Sequence, residues 1–260
     1  MSIIFLLTGN AREFPFNIQY HMRNTEILDS YNKYIFTDKF KSLYKYKIYI
    51  STDDIHLADT VNYFSRDNIG NIHLLNTDYY EKNINNKTEN VNKYFDIYNN
   101  KDWSNHWKYD NSIHQHYKIL DCYNLFKNDN IENCDYIVRL RIDVAITMDI
   151  LDVISSFTQN PELEIFLHWD WFALGKPEIM KWYCTGLENN YGNYKYEVVV
   201  PDILPVMGDY KELNRYKWTY SPERQLFEML FDYCNRNNLD INKTIVDTNK
   251  FCKLVRTYNI

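Results

Sequence analysis

The sequence predicts an α/β fold built around a largely parallel sheet, and three observations predict it. Short apolar runs alternate with longer stretches of helical period, which is the pattern of strands linked by crossover helices. The first two runs end on turn residues, Thr8-Gly9-Asn10 and Thr52-Asp53-Asp54, as strands do where they hand over to a loop and helix. A third run, Cys134-Asp135-Tyr136-Ile137-Val138-Arg139-Leu140-Arg141-Ile142-Asp143-Val144-Ala145, has the period of two expected of a strand.

Taken in order, Ile3–Leu7 is the first strand, closed by a glycine that permits a sharp turn. A helix is expected from about Asn17 to Phe36. Tyr46–Ser51 is the second strand, Ile55–Phe64 the helix after it and Asn71–Leu75 the third strand. From Asn76 to Asp110 the chain is rich in Asn, Lys and Tyr without a clear period, which predicts a long loop. Ser112-Ile113-His114-Gln115 has the form of a capping box. Beyond it Ile113, His116, Leu120, Tyr123 and Phe126 fall on one helical face, so this helix should pack on the sheet.

Composition narrows the function. At 260 residues, with 45% hydrophobic and 25% charged, the chain is long enough for a sizeable core and is not disordered by composition. A net charge of −6 argues against nucleic acid as the main partner, because that binding draws its affinity from basic residues neutralising phosphates. The five cysteines are widely spaced and never Cys-x-x-Cys, which indicates free thiols in a reducing compartment and no zinc site. Ile3–Leu7 is too short to span a bilayer, and a cytoplasmic location is the expectation. No phosphate loop, dinucleotide fingerprint, nucleophile elbow or His-Glu-x-x-His motif occurs.

The third run carries charge where a core strand should be apolar. Tyr136, Val138, Leu140 and Ile142 take one face, while Ile137, Arg139, Arg141 and Asp143 take the other. Two readings stay open on the pattern alone. The charges form an internal ion-pair network, since buried charge must be paired, or those at the carboxyl end meet a ligand, as open α/β sheets do.

The strand ending in Gly, the strand ending in Asp, the helix Gln115-x-x-x-Ile119-x-x-Cys122 and Asp135-Tyr136-Ile137-Val138-Arg139-x-Arg141-x-Asp143 together resemble nucleotide-sugar glycosyltransferases of the GT-A fold. The likeness is to polysaccharide and large-virus enzymes with an Arg-x-Asp version of the Asp-x-Asp motif. Asp170-Trp171-Phe172-Ala173-Leu174-Gly175 and Ser221-Pro222-Glu223-Arg224-Gln225-Leu226 are similar to two later blocks of that group. The resemblance implies a single GT-A domain over 1–260, with a nucleotide-sugar-binding half at 1–148 and an acceptor-binding half at 149–260. It implies transfer of a hexose or deoxyhexose from a nucleotide-sugar donor, expected to be UDP-linked, to a glycan acceptor.

Residue by residue, the resemblance makes Asp143 the ligand of a Mn²⁺ or Mg²⁺ ion, both of which take hard oxygen donors. Arg141 stands where the motif has its first Asp, and a guanidinium offers bidentate contacts to phosphate. Thr8, Gly9 and Arg12 would meet the nucleotide, and Asp53 its base or ribose, although Gly9 as a turn and Asp53 as a helix cap are equally consistent with the sequence. His168-Trp169-Asp170-Trp171 offers bases between aromatic rings, which suit sugars; the other reading is a strand edge with core tryptophans and a surface acid. Asp170 is the first candidate base and Glu223 the second. Ser221, Pro222 and Glu223 also explain one another as a helix start. Arg139, one step deeper than Arg141, is expected to partner a buried acid. The missing first Asp also admits a different class, a nucleotide-sugar or carbohydrate-binding protein without turnover.

Overall fold

Ile3, Ile4, Phe5, Leu6 and Leu7 are all buried, so strand β1 (Ser2–Thr8) is covered on both faces, which is why its sequence is a continuous apolar run. The computed structural model describes residues 1–9, 21–52, 66–75, 109–129, 134–189, 222–248 and 250–254. Strands β2 (Lys45–Thr52) and β4 (Tyr136–Arg141) flank β1, both parallel to it, and β3 (Ile69–Leu74) lies parallel outside β2. Beyond β4 come β7 (Phe172–Gly175), β6 (Ile165–His168) and β8 (Ile245–Asp247), giving a seven-stranded sheet in the order β3-β2-β1-β4-β7-β6-β8. Only β7 runs against its neighbours. A second sheet pairs β5 (Val144–Ile146) with β9 (Cys252–Leu254).

Helices cover both faces. On one, α1 (His21–Tyr34), α2 (Asp38–Leu43) and α4 (Ile150–Gln159) bury Ile27, Tyr31, Phe40, Val153 and Phe157 against Phe5, Leu7, Val138 and Leu140. The α4 sequence dictates its own place: Asp149 caps it by accepting from the Leu151 amide, and Ile150, Val153, Ile154 and Phe157 are buried at helical spacing. On the other face, α3 (Tyr109–Asn128), α5 (Pro177–Asn189) and α6 (Pro222–Arg236) enclose Ile4, Leu6, Ile137 and Leu167 with Ile119, Met180, Tyr183 and Met229. The short helix α7 (Ile241–Thr244) leads into β8.

The predicted mixed fold and mostly parallel sheet are what the structure has. Ile3–Leu7 and Tyr136–Ile142 adjoin in one sheet, with Ile3 opposite Tyr136 and Leu7 opposite Leu140. The α3 helix starts at Tyr109, ahead of the predicted Ser112 cap. Gln115 therefore does no capping, and its side chain turns to Asp170 instead. The helix expected at 55–64 and most of the long segment before α3 lie outside the described residues. No helix among the described residues is long and apolar enough to cross a membrane.

Candidate functional site

Chain direction brings the carboxyl ends of β1, β2, β4, β6 and β8 to one edge of the sheet, together with the amino end of the reversed strand β7. The chain runs outward from β1 through β2 to β3, then returns to β4 on the other side of β1. Strand order reverses there, and ligands of open α/β sheets bind in the crevice outside such a point. Thr8 and Gly9 end one wall of that crevice and Arg141 ends the other, with Thr8 opposite Arg141 in the register. Gly9 has φ 120°, a conformation that favours glycine, and its carbonyl accepts from the Thr52 hydroxyl at 2.6 Å. The Ile142 amide closes the crevice floor by donating to the Thr8 carbonyl at 3.1 Å.

Arg141 is the centre of the charge cluster. Its Nε donates to Asp143 Oδ1 at 2.9 Å and its Nη2 to Asp143 Oδ2 at 2.8 Å, a fork-to-fork pair, while Nη1 donates to Asp170 Oδ2 at 3.2 Å. The three side chains grade from crevice to core, at 22% exposed for Arg141, 15% for Asp143 and 2% for Asp170. Burial alone would push the Arg141 guanidinium down, but the charges and hydrogen bonds of Asp143 and Asp170 outweigh it and raise it, so it is a fixed cation. Backbone contacts fix the strand end: the Arg141 amide donates to the Trp171 carbonyl at 2.9 Å, and the Tyr31 hydroxyl on α1 donates to the Arg141 carbonyl at 3.1 Å. Asp170 Oδ2 also accepts from Gln115 Nε2 at 2.5 Å. Its Oδ1 is buried with no hydrogen-bond partner among the described residues.

Arg139 does not follow the expectation of a buried acid as hydrogen-bonding partner. It is wholly buried, and its Nε donates to the Thr8 hydroxyl at 3.1 Å. Its Nη1 and Nη2 meet no acceptor within hydrogen-bond geometry among the described residues. The Tyr183 hydroxyl lies near enough to feel this charge, although burial dominates and pushes that phenol up. His116 on α3 is buried close enough to feel the same charge; burial and then Arg139 hold its imidazole down to about 4, hence neutral at pH 7.

The β6–β7 turn carries the other predicted residues. His168 is buried, its Nδ1 accepts from the Cys252 amide at 3.0 Å, and burial lowers it to about 4. It stacks on Trp171 with centroids 5.1 Å apart. Trp169 is partly exposed and has φ 49°, a left-handed conformation that costs a bulky residue of order 1–3 kcal/mol and clusters at functional sites. Its amide donates to Asp247 Oδ1 at 3.3 Å. Asp247 ends β8 on the same edge; burial raises its carboxyl to about 6 against two backbone hydrogen bonds that lower it, and among the described residues no cation pairs with it.

Of the residues expected at the site, Thr8, Gly9, Arg141, Asp143 and Asp170 converge, and His168 stands behind Trp171. Arg12 and Asp53 lie outside the described residues, and Glu223 falls in the first turn of α6 with its side chain also outside them. Gln115, which entered the resemblance only as part of the helix pattern, and Asp247 were given no site role by sequence reasoning. Gln115 had a sufficient local explanation as a capping residue, and Asp247 sits in a short run, Ile245-Val246-Asp247, with no motif to flag it.

A divalent ion does not fit the residues as placed. Mg²⁺ and Mn²⁺ need several oxygen ligands at about 2.0–2.2 Å, yet both oxygens of Asp143 and Oδ2 of Asp170 already hold Arg141. No group of three or more potential ligands occurs among the described residues.

No protein-family model and no curated protein matches the chain in sequence. Among solved structures, the chain is similar to mouse xyloside xylosyltransferase 1 in its apo form, with 9% identity, a TM-score of 0.49 and coverage of 95% of this chain and 85% of that one.

Proposed function

We propose that the protein is a glycosyltransferase of the GT-A type that binds a nucleotide-sugar donor, UDP-linked, in the crevice between β1 and β4 and transfers its sugar to a glycan acceptor. The observation that carries the reading is the convergence of Thr8, Gly9, Arg141 and Asp143 at the topological switch point, where a diphosphate would find a close backbone approach at Gly9 and a fixed guanidinium at Arg141. The sequence blocks around Asp135–Asp143 and Asp170–Gly175 support the same class.

In this reading the 1–148 half carries the donor contacts and the 149–260 half the acceptor side. Asp170, gripped by Gln115 and Arg141 and almost wholly buried, serves in this reading to hold the guanidinium in place. Asp247 is the better-placed carboxylate for an acceptor hydroxyl: it lies beside the partly exposed Trp169 and its raised pKa lies near the range of a working base. A panel of nucleotide sugars screened for thermal stabilisation tests the reading: a rise in Tm with UDP-sugars supports it, and no response to any nucleotide sugar rejects it. Binding without slow release of UDP would identify the alternative, a binding protein on the same fold.

A further inference from the structure

We infer that Arg139 and Arg141 supply the positive charge that a divalent metal would otherwise bring to the two carboxylates, so that the site engages a diphosphate without Mg²⁺ or Mn²⁺. The inference deepens the glycosyltransferase reading and rests on it for the identity of the diphosphate. The charge count is the first support. Asp143 and Asp170 with Arg139 and Arg141 already sum to zero, so one added divalent ion would leave the cluster at a net charge of +2.

Geometry is the second support. The guanidinium of Arg141 occupies the position between the two carboxylates, using Nε, Nη1 and Nη2 toward them. A metal placed there would have to expel a partly buried, doubly paired cation, and would otherwise face it at like charge. A guanidinium carries five N–H donors, so the three engaged with Asp143 and Asp170 leave two, one on Nη1 and one on Nη2, for phosphate oxygens. Asp143 and Asp170 thereby act as orienters of Arg141 and hold the planar fork in one direction. Arg139 stands one strand step deeper on the same face of β4, held by Thr8. It adds charge without direct access, because it is wholly buried. Lysine would not substitute for Arg141, since a single ammonium cannot span both carboxylates in this forked geometry.

The test has two readouts. The first is Mn²⁺ binding by electron paramagnetic resonance on the protein alone, which does not depend on the donor's identity. Wild type should leave Mn²⁺ free at 1 mM scale concentrations, about the weak end of protein metal sites, whereas Arg141→Ala, by freeing Asp143 and Asp170, should bind it at least tenfold more tightly than wild type. The second is UDP affinity by calorimetry in EDTA and in excess Mn²⁺. The two values should agree within twofold for wild type, and Arg141→Lys should weaken both by tenfold or more. Tight Mn²⁺ binding by wild type, or UDP binding that appears only with metal, overturns the inference. Should Arg141→Ala not fold, Arg141→Gln, which also removes the cation but keeps most of the side-chain volume, carries the same Mn²⁺ comparison. UDP and nucleotide sugars failing to bind under either condition would instead reject the glycosyltransferase reading, with the Mn²⁺ readout still deciding the role of the arginines.

Discussion

Asp143 and Asp170 grip the same arginine but at different depth, and that difference sets an ordered pair of stability losses. At 3.2 Å the Asp170–Arg141 contact is worth roughly 5 kcal/mol of gross Coulomb attraction at an effective dielectric constant of about 20. Neutralising Asp170 recovers part of its desolvation cost, but it leaves Arg141 with one carboxylate and Gln115 with an altered acceptor. Breaking a buried pair from one side costs about 3–5 kcal/mol, and retention of Asp143 brings the expectation for Asp170→Asn to about 2–3 kcal/mol. Asp143 has the better fork geometry, at 2.8 and 2.9 Å, but its side chain is more exposed than that of Asp170. Asp143→Asn should therefore cost only about 1 kcal/mol, the upper end for solvent-accessible pairs. Urea denaturation followed by tryptophan fluorescence measures both. Equal losses, or a loss for Asp170→Asn below that of Asp143→Asn, would refute the claim that Asp170 is the buried anchor of Arg141.

Asp247→Asn should raise stability at pH 8 by roughly 2–3 kcal/mol and change little at pH 4, because a carboxyl held near pH 6 in the folded state binds more protons than the unfolded chain between about pH 4 and 6, so wild type loses stability as pH rises through that window. Denaturation curves across that range check it; parallel curves for the two proteins would contradict it. Trp169→Gly should be more stable than Trp169→Ala by about 1 kcal/mol, since only glycine adopts φ 49° without cost; the opposite order in melting temperature would count against a strained turn. Gly175→Ala should destabilise more than Gly186→Ala. Its added Cβ would meet the Glu164 backbone oxygen at 2.9 Å, whereas at Gly186 the nearest atoms belong to the flexible Met229 side chain. Similar losses would show that β6 and β7 give way more easily than their pairing implies.

How far the sequence announced this arrangement depends on the residue. Period-two alternation placed Arg139 and Arg141 on one face of β4 and Val138 and Leu140 on the other, and the apolar runs located β1 and β2 to within a residue or two at each end. Strand neighbours were another matter. That β7 slips between β4 and β6 in reverse, carrying Asp170 to the edge where Arg141 ends, depends on long-range pairing. Asp170 itself was legible as a functional candidate, but not the depth of its burial. Gln115 illustrates a competing local rule: Ser112 and Gln115 fit a capping box, while the helix begins earlier and frees the amide for a partner 55 positions away. Asp247 had no local signal at all, because its significance arises from the tertiary contact with the Trp169 amide.

The measurement that bears most directly on the central claim is a crystal structure of the protein grown with UDP in the presence of EDTA. The account predicts the diphosphate outside the carboxyl ends of β1 and β4, with its oxygens within hydrogen-bond distance of the Arg141 guanidinium and close to the Gly9 backbone, and Asp143 and Asp170 still holding that arginine. UDP bound elsewhere on the sheet, or bound here only after Arg141 has swung away to admit a metal between Asp143 and Asp170, would contradict it.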